Sequence, residues 1–122
     1  MTPKSDFGDR LKDLAVRTIT LCNSLPKTFV GRHIAQQALR CGTSAGANYC
    51  EARGAESRAD FAHKMQVVVK ELRETLFWIE IIQRARLVGP ERLASLASEL
   101  NELISIGVKS VTTAKAHARQ RD

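Results

Sequence analysis

The stretch Gly42-Thr43-Ser44-Ala45-Gly46, "GTSAG", decides between two folds. As G-x-S-x-G it has the form of a serine hydrolase's nucleophile elbow, which joins a strand to a helix by a sharp turn. As two glycines four apart within a helix, it marks a surface that another helix approaches closely. The flanking residues choose the second reading. The preceding "RHIAQQALRC" continues a helical pattern and shows no strand alternation. Nothing else in the chain supplies the parallel strands a hydrolase sheet needs. Asp60 and His63 do follow Ser44 in the order a triad would take, but they share one turn of one helix. Another apparent motif, "SLPK" at Ser24–Lys27, matches S-x-x-K at a helix end that carries a proline, which is a chance match. His33, His63 and His117 have no metal-ligand spacing, and there is no phosphate-cradling glycine loop. The chain is therefore expected to be no enzyme and to hold no metal or cofactor.

Outward from this stretch, apolar periodicity sets out four helices. Phe7, Leu11, Leu14, Thr18, Leu21 and Leu25 step by alternating fours and threes, with Ser5 or Asp6 as cap and Pro26 as the stop. The second stripe is Ile34, Ala38, Cys41, Ala45 and Asn48, flanked by small residues and ended by Gly54. Ser57 caps the third helix, with Asp60 three residues on in the manner of a capping box. Its stripe, Phe61, Met65, Val68, Leu72, Thr75, Ile79 and Ile82, is unbroken. After "LVGPE", with Pro90 in a first-turn position, come Leu93, Leu96, Leu100, Leu103, Gly107 and Val111. This predicts one domain over 1–122 with helices at 6–24, 32–53, 57–87 and 90–116. Short connections favour antiparallel neighbours, hence an all-α, antiparallel up-down-up-down four-helix bundle.

A chain of 122 residues with 43% apolar and 5% aromatic residues suits one helical core. No apolar run reaches the length of a membrane span, and the N-terminus has no secretory h-region, so a cytoplasmic protein is expected. Three cysteines without a CxxC pair read as small residues of a reducing cytosol. The net charge of +6 is spread along the chain, densest near the C-terminus, and permits binding to a polyanion.

One line on helix three is unusual: Ser57, Asp60, Lys64, Val67, Glu71, Glu74, Trp78 and Ile81 repeat the core spacing with charges in the middle. Helix two is stripped of bulk where it would face them, at Gly42 and Gly46. Antiparallel pairing would bring Asn48 and Glu51 towards Lys64. Lys64 and Glu71 would then be partly buried and in need of partners, in a register-fixing layer or a subunit seam.

"LPKTF", "GTSAGANYCEA", "ESRADFAHK" and "KELRETLFWIEII" together resemble the four-helix-bundle family named after 23S rRNA intervening sequences, over roughly residues 7–110. The matching positions include Asn48, Glu51, Ser57, Phe61, Lys64, Glu71, Glu74, Thr75 and Trp78. Phe77 stands where tyrosine is common and Val68 where alanine is common. The resemblance implies a small bacterial cytosolic four-helix bundle that assembles into a ring-like pentamer. A related branch, the accessory variability protein of diversity-generating retroelements, is a basic pentamer that binds nucleic acid and a reverse transcriptase. It offers no catalytic residue to carry over.

Two functions are expected to compete. The first is a non-enzymatic homo-oligomer that associates with DNA or RNA or serves as a scaffold. Its contacts would come from Arg32, Arg40, Arg53, Arg84, Arg86, Lys115, Arg119 and Arg121, with Gly42, Gly46, Asn48, Glu51, Lys64, Glu71 and Trp78 shaping interfaces. The alternative is a module that docks onto a protein such as a reverse transcriptase without touching nucleic acid. Neither involves a membrane.

Overall fold

The computed structural model describes residues 6–121, with side chains through Arg119. Four helices follow one another: α1 (Phe7–Ser24), α2 (Phe29–Arg53), α3 (Arg58–Arg84) and α4 (Glu91–Arg121). Leu11 of α1 lies by Gly46 and Cys22 by Ala35, so α1 and α2 run antiparallel. Arg40 of α2 reaches Glu74 of α3, and Val69 of α3 meets Gly107 of α4, so the alternation continues. The chain is an antiparallel up-down-up-down four-helix bundle. Consecutive helices pack closely, whereas α1 and α4 meet mainly through side-chain bridges.

The core is made of the stripes read from the sequence. Leu11, Leu14, Leu72, Ile79, Ile82, Leu93, Leu100 and Leu103 are fully buried. Thr18 and Thr75, the polar members of their stripes, are equally buried, and each hydroxyl donates to the carbonyl one turn back (Leu14 and Glu71). Both therefore enter the core without an unpaired polar group.

Three helix ends differ from the sequence expectation, each for a local reason. Helix α2 starts at Phe29 because the Thr28 hydroxyl accepts from Gly31 N–H at 3.1 Å, and an N-cap sets the start of a helix. Gly31 has to be glycine, since a Cβ there would lie 2.0 Å from the Pro26 carbonyl oxygen. Helix α3 ends at Arg84, short of residue 87. Arg86 turns left-handed (φ 55°), its N–H bonds Gln83 O, and Leu87 N–H bonds Ile82 O. That is a Schellman closure with arginine in the position glycine usually takes. Helix α4 runs on to Arg121, and Ala114 and Ala118 remain buried along it. Asp6 caps α1 by accepting from Asp9 N–H; Ser5, the alternative cap, lies outside the described residues.

The helices are unequal. Helix α1 has 18 residues, α3 has 27 and α4 has 31. At 1.5 Å per residue, α4 outreaches α1 by about 20 Å. Helix α1 begins level with Tyr49 and Gly107: the Phe7 and Tyr49 rings meet edge-on at 5.1 Å, and Phe7 Cζ lies 4.0 Å from where a Gly107 Cβ would be. Beyond that level, among the described residues, the α2–α3 turn and the last turns of α4 form a three-helix end.

Candidate functional site

The glycine pair of the opening stretch lies in the middle of α2 and faces α1. A Cβ on Gly42 would sit 2.7 Å from Thr18 Cγ2 and 2.8 Å from its Oγ1. At Gly46 the nearest atom, Leu11 Cβ, would be 3.6 Å away, an ordinary contact. The close approach is thus within the bundle and is made at Gly42. Ser44 donates to the Arg40 carbonyl at 2.6 Å and the Thr43 hydroxyl bonds the Leu39 carbonyl, so both are tied to their own helix.

The polar line on α3 is half-buried against α2, and Glu71 is only 8% exposed. Its partner comes from α2: Arg40 gives Nη1 to Glu71 Oε1 at 3.3 Å and Nη2 to Glu74 Oε2 at 2.5 Å. Trp78 Nε1 also donates to Glu74 at 3.4 Å. These bonds, Arg40's above all, hold the Glu74 carboxyl below the usual glutamate range, and Glu74 in turn raises the Arg40 guanidinium. Lys64 pairs instead with Asp60 on its own helix at 3.1 Å. Asp60 is lowered first by the Glu56 N–H it accepts and then by Lys64. Lys64 and Glu71 therefore belong to two separate pairs. Asn48 bonds the Ser44 carbonyl, and Glu51 is exposed. Trp78 is flanked edge-on by His33 at 6.0 Å and Phe77 at 4.9 Å.

The predicted cations do not gather at one place. Arg32, Arg84 and Arg86 are exposed at the end where α2 begins and α3 ends. Arg53, Lys115 and Arg119 are exposed at the three-helix end, and Arg121 continues α4 there, its side chain outside the described part. Arg40 sits between the two ends with both guanidinium arms on carboxylates. Sequence patterning did not single out Arg10. It bridges α1 to α4, holding Glu99 through Nε (3.0 Å) and Nη2 (2.8 Å) and Glu102 at 2.9 Å. Glu99's carboxyl is lowered chiefly by this bond. A pairing across 89 residues leaves no local signal. Arg58 and His117 were also unmarked, although they flank Arg53 at the three-helix end.

Burial raises the thiols of Cys22 and Cys41, while Cys50 is exposed. Among the described residues no helix is long and apolar enough to cross a membrane, and no group of three His, Cys, Asp or Glu side chains could hold a metal.

Residues 5–108 match the family of the 23S rRNA-intervening sequence protein. The chain belongs to that family. Among solved structures it is similar to a protein of unknown function from the S23 ribosomal protein family of Bacteroides thetaiotaomicron, at 31% identity and a TM-score of 0.77. The match spans 87% of this chain and 98% of that one, so family membership and helical architecture agree over nearly the whole length. No curated protein matches the chain.

Proposed function

We propose that this family member is a non-enzymatic, homo-oligomeric cytoplasmic protein that associates with nucleic acid through unpaired surface cations. One observation carries the reading. Of 19 Lys and Arg residues, side-chain ion pairs among the described residues take up Arg10, Arg40 and Lys64. The others that are described have no carboxylate partner there, and such charge attracts phosphate by releasing condensed counterions. Assembly multiplies the effect: a pentamer of a +6 chain would carry +30. The test is fluorescence anisotropy with labelled DNA and RNA at about 50 mM salt, where phosphate contacts are strongest, with light scattering on the same sample. Undetectable binding to both nucleic acids refutes the reading.

A second reading has its own observation. Phe29 is 89% exposed and Phe77 50% exposed, and Phe77 packs on Trp78. Exposed aromatics of this kind suit a protein partner, such as a reverse transcriptase, that docks without nucleic acid. Capture of that partner after nuclease treatment, abolished by Phe29→Ser/Phe77→Ser, would favour it.

A further inference from the structure

The three-helix end contains a groove of about 470 Å³, the size range of small-molecule sites. Among the described residues α1 starts level with Tyr49, so α2's last turn, α3's first turn and α4's later turns have no fourth helix between them there. Arg53 enters from α2, Arg58 from α3, and Ser110, Thr113 and His117 from α4. The last three lie at spacings of three and four and so share one face of α4.

Two features of this groove suit an anion. Arg53 and Arg58, like most cations among the described residues and unlike Arg10 and Arg40, have no carboxylate partner there. The hydroxyls of Ser110 and Thr113, like those of Ser98 and Ser105 earlier on α4, have no hydrogen-bond partner among the described residues, whereas those of Thr18, Thr20, Thr43, Ser44, Thr75 and Thr112 each bond back to their own helix. The walls thus carry two guanidinium groups, an imidazole and two uncommitted hydroxyls. All of these can donate, and guanidinium forks match phosphate oxygens in pairs. Glu56 also lines the groove, which leaves two formal positive charges against one negative.

We infer that this groove binds a backbone phosphate of a nucleic acid, held by Arg53 and Arg58 and oriented by Ser110, Thr113 and His117. The inference rests on the proposed function and places its contact at one end of the bundle. It predicts that the cations of the opposite end, Arg32, Arg84 and Arg86, contribute little.

The test compares Arg53→Ala/Arg58→Ala, Arg32→Ala/Arg84→Ala/Arg86→Ala and Glu56→Gln with the natural chain. Binding to a labelled DNA duplex and a labelled RNA is followed as salt is raised. Removing one phosphate-binding cation lowers the log–log salt slope by about one. The groove double variant should therefore show a slope smaller by about two and bind about 10- to 100-fold more weakly at low salt. The opposite-end variant should retain the natural slope, and Glu56→Gln should bind more tightly. Tighter binding cannot come from misfolding. Unchanged binding by the groove variant, with weakened binding by the opposite-end variant, overturns the site but leaves nucleic-acid association standing. Absence of binding by the natural chain overturns that association. Amide shifts on titrating inorganic pyrophosphate then decide the groove alone: shifts at Arg58, Ser110 and Thr113 uphold it as a phosphate site, and their absence overturns it.

Discussion

Gly42 and Gly46 look equivalent in the sequence, and replacing each with alanine should move stability in opposite directions. Either change removes a glycine from a helix interior and gains about 0.8–1 kcal/mol of helix propensity. At Gly46 the new methyl meets Leu11 at 3.6 Å and needs no adjustment, so Gly46→Ala should stabilise by close to that full amount. At Gly42 the methyl would fall 2.7 Å from Thr18 Cγ2 and 3.0 Å from Thr18 Cβ. Thr18 is fully buried and its hydroxyl is committed to Leu14, so rotating it away breaks a buried hydrogen bond. Overpacking of this kind costs about 1–3 kcal/mol, which exceeds the propensity gain. The two variants should therefore differ by about 2 kcal/mol, or about 8 °C in Tm for a domain of this size. Urea unfolding at one fixed protein concentration reads the difference as a shift in midpoint with unchanged slope. Thr18→Ala should reduce the cost of Gly42→Ala in a double-mutant cycle. If Gly42→Ala is as stable as Gly46→Ala, the close approach of α1 to α2 at Thr18 is refuted.

Further outcomes follow from other contacts. Arg10→Ala should cost about 1 kcal/mol, less in 1 M salt, because it opens the bridge from α1 to Glu99 and Glu102 at a partly exposed seam. Glu99, Glu74 and Asp60 all have lowered carboxyl pKa values in the folded state. Their contribution is therefore complete above the ordinary carboxylate range near about pH 4. It is lost as pH falls through the lower folded values, and unfolding midpoints from pH 7 to pH 3 would show the decline. Arg86→Gly should stabilise by up to about 1 kcal/mol by relieving the left-handed arginine, read by thermal unfolding. A thiol reagent should label Cys50 at once and reach Cys22 and Cys41 only in denaturant; rapid labelling of all three would contradict their burial.

The core was legible because burial follows the 3.6-residue period. Every fully buried leucine lies on a stripe visible in the sequence. Pairings between helices were less so. Glu71 was recognised as needing a partner, but Arg40 reaches it from α2, while Lys64 takes the nearer Asp60 one turn back. Periodicity fixes which face a residue lies on and not how far a long side chain extends. The end of α3 was misplaced because its stop signal is a left-handed arginine, and sequence reasoning looks for glycine there. The groove escaped notice because it arises from the unequal lengths of α1 and α4, a relation between elements that no local pattern encodes.

That inequality has a thermodynamic consequence. Within the four-helix part, leucines and isoleucines fill the interior; past Tyr49, the buried side chains of α3 and α4 are Ala62, Ala114 and Ala118, with Phe61 only partly buried beside them. Methyl groups bury little area, so these last turns are held together by much less than the rest of the molecule. Amide exchange should report them opening well before the whole chain unfolds. An anion gripped from three helices at once would close that gap in protection. The weakest part of the bundle would then also be the part whose order registers that a ligand has arrived.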